Sequence, residues 1–297
     1  MSGPYAHTRW GLVPAADAGL DATDAGLRGD GVFTTVLVRG SVALWLDEHV
    51  TRLVRDAAAL GIAAPEPTWF TRTVAVVTAA NDGELDTVDT ALRITVTRGA
   101  ASPDAAFGAP VGPPSVLVTQ HALAPAPAVV RAVTVGWSRT LAHVKHTSWL
   151  AASEALRRAR AGGADTAVLT RPDPGGDHAR DLLLEGATAN LVLVDAAGRL
   201  CTPPDDGAVL PGVTRAAVLD LARREGREVV ERPVTRADLH AATEALLTSS
   251  LRGVVALSHL DDVPVGGTGG TEAPGPVTRT LRDAWAGEAA RRAAAGA

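Results

Sequence analysis

Lysine is nearly absent. Of the 28 Lys and Arg residues in this 297-residue chain only one, Lys145, is a lysine, and cysteine and tyrosine also occur once each. The lone cysteine, Cys201, cannot close an internal disulfide and lacks partners for a thiolate metal site, so a reducing compartment, the cytoplasm, is expected. No apolar run approaches the ~20 residues that span a bilayer, and the opening MSGPYAHTRWGLVPAADAG has no basic stretch followed by an apolar one. Neither a membrane anchor nor a secretory leader is expected. A basic stripe is missing as well, and a net charge of -5 argues against nucleic acid or an anionic membrane as partner. Also lacking are a G-x-S-x-G elbow, a Walker loop and a dinucleotide fingerprint. His143 and His146 have the spacing of two metal ligands but no third at a sensible distance, so no metal site is expected.

What is present reads as a globular protein of mixed type. FTTVLV (33–38) and SVALWL (41–46) read as a hairpin, and DEHVTRLVRDAAALGI as a helix with Asp47 as its cap and Val50, Leu53, Val54, Ala57 and Leu60 on one face. A second helix is expected over 68–80, then strands over 91–99 and 115–121. ALAPAPAVV (122–130) reads as an extended connector, giving an N-terminal domain over 1–121, a linker over 122–130 and a C-terminal domain over 131–297. The second half alternates strands with helices expected over 147–162 and 211–226. A glycine-rich loop is expected over 264–277, and the last helix is expected to fray after Ala290.

The surviving lysine is the chemical lead. Where arginine replaces lysine almost everywhere, the retained amine is either a surface lysine that happened to survive or one at a place arginine cannot fill, because only lysine deprotonates to attack a carbonyl. Further on, the apolar strand LLLEGATANLVLV delivers Glu185 and Asn190, and a carboxylate there is costly without a cationic partner. Pro211 and Gly212 lead into a helix whose first amides, at Val213 and Thr214, make an anion site. LLTSSLRG adds the hydroxyls of Thr248, Ser249 and Ser250. Amine, acid and anion pocket together suit pyridoxal 5'-phosphate.

With RGDGVFTTVLVRG and HVTRL, these segments resemble the fold-type IV pyridoxal-phosphate enzymes, or class IV aminotransferases, from about Gly29 to Gly266. The resemblance implies a two-domain α/β (α+β) fold with a small N-terminal domain and a larger C-terminal pseudo-barrel, and a homodimer acting on a small-molecule amino substrate. It implies that Lys145 bonds the cofactor aldehyde and shuttles the substrate proton, that Glu185 partners the ring nitrogen, and that Arg52, Val213, Thr214 and Ser250 hold the phosphate. Arg52 lies opposite the apolar stripe of its helix, which by periodicity alone reads as solvent-facing. Arg98 falls where D-amino-acid transaminases hold a substrate carboxylate. Thr34 replaces the glutamate of many transaminases, as in aminodeoxychorismate lyases, and Leu150 stands where branched-chain enzymes have tyrosine. Both departures point to 4-amino-4-deoxychorismate lyase, with a branched-chain or D-amino-acid transaminase as the alternative. Against the lyase, AASPDAAFG replaces its glycine-rich continuation.

Overall fold

The computed structural model describes residues 3–85, 89–100, 112–266 and 273–296. Contacts divide the chain into two units, Met1–Ala124 with Val144–Trp149 and Ala289–Ala297, and Pro125–His143 with Leu150–Glu288. Lys145, although it follows the proline-alanine stretch, belongs to the first.

The first unit is a six-stranded sheet, every pairing antiparallel, covered by helices. Its strands are β1 (Tyr5–Thr8), β2 (Gly11–Pro14), β3 (Gly31–Arg39), β4 (Val42–Ala43), β5 (Asp89–Thr97) and β6 (Ser115–Ala122), with helices α1 (Leu46–Ala59) and α2 (Pro67–Ala80). Side chains alternate between the two faces of a strand. Val32, Val38, Leu92, Ile94, Val96 and Val118 therefore share a face, packing with Val50, Leu53 and Ala57 of α1 and Phe70, Val74 and Val77 of α2. The strand expected over 41–46 shortens to Val42–Ala43, because Leu44 and Trp45 are buried as the chain turns into α1. The helix begins at Leu46 after a left-handed Trp45, with no side-chain cap, so Asp47 lies inside it and not at its cap.

The second unit is built on a closed ring of strands. These are β7 (Val129–Val135), β8 (Thr166–Arg171), β9 (Leu182–Gly186), β10 (Ala189–Val194), β14 (Glu244–Ser249) and β15 (Gly253–Leu260). The order β10-β14-β15-β7-β8-β9 closes through the pairing of β9 with β10, leaving no open edge in the ring. Short strands extend it: β11 (Leu200–Thr202), β12 (Val229–Glu231), β13 (Val234–Thr235) and β16 (Val263–Pro264). The helices are α3 (Leu150–Ala161), α4 (Val213–Arg224), α5 (Arg236–Ala241) and α6 (Pro276–Gly296), whose last residues count with the first unit. Adjacent residues serve opposite faces of the wall: Leu183 packs with Val168, Leu191 and Leu247, whereas Leu184 packs with Ala155 and Ala159 of α3.

Three expected boundaries move. Helix α3 starts at Leu150 instead of Thr147, because Thr147 donates its N–H to Gly31. β7 begins at Val129, inside the expected connector, because Val129 and Val130 pair with β15. Helix α6 runs to Gly296 instead of fraying after Ala290, and Arg292 pairs with Glu48 at 3.3 Å. Residues 267–272 of the expected glycine-rich loop, and AASPDAAFG from Ala101 onward, lie outside the described residues.

Candidate functional site

In the first unit the lysine is delivered by a segment that bridges to β3. Phe33 donates its N–H to the Lys145 carbonyl at 2.9 Å and Thr147 donates to Gly31 at 2.8 Å, with a bridge between Val32 and His146. The lysine segment thus lines the edge of β3 near its start, while β4 takes the same strand's far end. Gly29 makes room: its φ is +82°, and a Cβ there would lie 3.0 Å from the Ser148 Cα. Alternation puts Val144 among the core residues under α1 and α2 and turns Lys145 to the opposite face. There its Nζ lies 4.7 Å from the centroid of Phe33.

Arg93 approaches the same ring, its Cζ 3.8 Å from the centroid, and its Nε donates to Thr95 at 3.3 Å. Burial lowers its pKa, and no acidic neighbour among the described residues offsets that. By contrast the fork of Arg98 is filled within its own unit. Nε and Nη2 donate to the two oxygens of Asp30 at 2.7 and 3.1 Å, and further N–H groups meet the carbonyls of Leu60 and Gly61. A substrate carboxylate at Arg98 would have to displace Asp30.

Helix α1 carries a second, polar stripe. His49, Arg52 and Asp56 follow at helical spacing and all are buried. Arg52, read from periodicity as solvent-facing, donates from Nη2 to the Thr34 hydroxyl at 3.1 Å, and that hydroxyl lies 2.8 Å from Nδ1 of His49. Thr34 therefore faces α1. Burial, reinforced by the Arg52 and Lys145 cations, holds the His49 pKa well below its ordinary value, so the ring is neutral. Asp56 accepts the backbone N–H of Lys145 at 2.9 Å and fixes the segment to the helix.

In the second unit Glu185 has the cationic partner its burial demands. Arg139 donates from Nε to Oε1 at 2.9 Å. Oε2 accepts the Leu210 N–H at 3.1 Å and faces Asn190 Nδ2 at 3.5 Å. Downstream, Gly212 is the N-cap of α4 and, as a glycine, offers no side-chain cap to the first-turn amides at Val213 and Thr214. Ser250 follows β14 in a turn, half-buried. Thr248, one strand over from Asn190 in register, is buried and its hydroxyl has no hydrogen-bond partner among the described residues.

Arg93, His49, Asp56 and Arg139 were not singled out by sequence reasoning as site residues. A usable signal existed for Arg93, an arginine in the middle of an apolar strand, and for the i, i+3, i+7 spacing of the α1 residues. Arg139 had none, standing 46 residues from Glu185.

Residues 31–260 match the family Amino-transferase class IV. The chain is 28% identical over 282 residues to a D-alanine aminotransferase of Bacillus licheniformis, covering 92% of this chain and 93% of that one. Among solved structures, the branched-chain amino acid aminotransferase of Escherichia coli superposes with a TM-score of 0.83 at 23% identity, over 97% of this chain and 95% of that chain. A Legionella pneumophila structure provisionally named 4-amino-4-deoxychorismate lyase gives a TM-score of 0.76, also at 23% identity, over 90% and 94% of the two chains. At such identities the two structures bear on the fold, which they share with this chain.

Proposed function

The chain belongs to the class IV amino-transferases, and from that premise we propose that it transfers an amino group between a small amino acid and a 2-oxo acid with pyridoxal 5'-phosphate. The observation that carries this reading is Arg93, a half-buried guanidinium with no acidic neighbour among the described residues, on the same aromatic ring as the amine of Lys145. A guanidinium partly withdrawn from water calls for an anion, and a planar fork suits a carboxylate. An amino acid or its oxo acid brings one.

The residues fit the cofactor by the chemistry of their donors: one amine, one buried carboxylate, an uncapped helix start, and a buried Thr248 hydroxyl without a partner among the described residues. When bound, the cofactor supplies an aldehyde and a protonated ring that withdraws electrons from the substrate carbon. Lys145 is the proposed amine, and its Nζ takes up and returns the proton at that carbon. Glu185, paired with Arg139, is proposed for the ring nitrogen, where its carboxylate would hold a proton. Arg52, the amides of Val213 and Thr214 and the hydroxyl of Ser250 are proposed for the phosphate. Arg93, in place of Arg98, is proposed for the substrate carboxylate. A homodimer belongs to the same reading and is tested by light scattering on the holoenzyme.

Thr34 and Leu150 favour a second reading, 4-amino-4-deoxychorismate lyase. The first is preferred because the Thr34 hydroxyl is taken up by Arg52 and His49. A paired assay separates them: amino transfer from D- and L-amino acids to 2-oxo acids, against pyruvate release from 4-amino-4-deoxychorismate. Amino transfer without pyruvate release is expected, and the reverse result would replace the transaminase by the lyase.

A further inference from the structure

Asn190 has no role in the chemistry just described, yet it is 4% exposed and sits beside groups that have one. In register it lies opposite Glu185 on β9 and opposite Thr248 on β14, so the three side chains share one face of the wall. Its Nδ2 donates to the carbonyl of Leu210 at 2.8 Å, while the N–H of Leu210 goes to Glu185 at 3.1 Å. Both polar groups of one residue are thereby gripped by two neighbouring side chains. Pro211 follows with a fixed φ, and Gly212 is the cap of α4. A Cβ at Gly212 would fall 1.9 Å from Oδ1 of Asn190, so the backbone there passes directly against the amide. The orientation of that amide is set by its surroundings: Nδ2 must face the two acceptors, which leaves Oδ1 toward Gly212.

We infer that Asn190 is a positioning residue that sets the start of α4 relative to Glu185, so that the anion site at Val213 and Thr214 is held in place by the same peptide that anchors the ring-nitrogen acid. The inference rests on the proposed pyridoxal-phosphate reading. Loss of the Leu210 contact frees the Leu210–Gly212 segment and displaces the first-turn amides, which act on a phosphate and on nothing else in the cofactor. Removing Asn190 therefore weakens the phosphate-bearing form selectively.

The test is a titration of the apo-protein with pyridoxal 5'-phosphate and with pyridoxal, which lacks the phosphate, for the wild type and Asn190→Ala. The ratio of the two affinities should fall roughly ten-fold in the variant, the size of one buried hydrogen bond. A general loss of stability would weaken both ligands alike and leave the ratio unchanged, which overturns the inference. If Asn190→Ala does not fold, the near-isosteric and uncharged Asn190→Leu carries the same comparison, because its side chain cannot donate to the Leu210 carbonyl and adds no charge beside the anion site. A wild type that binds neither ligand overturns the pyridoxal-phosphate reading itself, an outcome distinct from an unchanged ratio. Gly212→Ala supplies an independent check. It should lower the ratio in the wild-type background and do less in Asn190→Ala, where the clashing oxygen is gone; additive effects would contradict the proposed contact.

Discussion

At the scale of the residue, one amine and one guanidinium decide the most. Lys145 is the only lysine in the chain, which makes its assignment testable without ambiguity. Borohydride reduction of the holoenzyme should leave the cofactor covalently attached to the peptide that holds Lys145, read by mass spectrometry; label at the N-terminal amine alone would rule out the assignment. The two arginines of β5 and its end differ in the company they keep. Arg93 has no acidic neighbour among the described residues, whereas Arg98 is bound to Asp30 through two hydrogen bonds. Arg93→Lys should raise KM for amino donors about ten-fold or more, since a point charge replaces a bidentate fork. Arg98→Lys should leave KM near its wild-type value and lower thermal stability instead. The opposite pattern in steady-state kinetics would return the carboxylate to Arg98.

At the scale of the element, α1 and the lysine segment work as a pair. A helix with an apolar stripe and a buried polar stripe is covered on both sides, and here the polar one holds Lys145 by its backbone through Asp56. Asp56→Ala leaves a buried N–H without its acceptor, a loss of about 1–3 kcal/mol. It should also reduce turnover more than its effect on the melting temperature accounts for, because the segment carries the amine. Gly29→Ala attacks the same segment from the other side, combining a left-handed φ with contact against the Ser148 backbone. Denaturant unfolding should show a loss of about 1–3 kcal/mol, in the range of strained backbone positions, whereas Gly40→Ala, where nothing lies within 4 Å of the added Cβ, pays only for its φ.

At the scale of the whole molecule, histidines whose pKa burial lowers shape the response to acid. His49 is held well below its ordinary value of 6.5, first by burial and then by Arg52 and Lys145. The unfolded chain then takes up a proton below about pH 6.5 that the folded protein refuses, so stability is full above that value and declines as the pH falls. His7, His121 and His259, all lowered chiefly by burial, act in the same direction. His49→Gln should therefore flatten the decline between pH 6.5 and 5 in urea titrations, while wild type and variant that lose stability in parallel would show that His49 is protonated in the fold. Asp238 has the acidic counterpart: Arg232 holds it at about 2, against 3.8 ordinarily, and that contribution disappears only as the pH falls through 2.

The order of strands and helices, the amine, the acid and the uncapped helix start were legible in the chain itself, because alternation, helical spacing and the cost of a buried charge all act locally. Lys145 and Glu185 stood out for a related reason: each is a residue type that its surroundings would not otherwise retain. Tertiary structure alone decided which partners they have. Arg139 reaches Glu185 from 46 positions away, and Asp56 reaches Lys145 from 89, and neither pairing leaves a trace in spacing. It also decided that Arg52 is buried, since a helix covered on two faces shows only its apolar one in the pattern of hydrophobic residues. Ring closure through β9 and β10, and the pairing of the lysine segment with β3 that delays the start of α3, are hydrogen-bond choices between distant backbones. Every backbone offers the same donors and acceptors, so the choice among them falls to the fold.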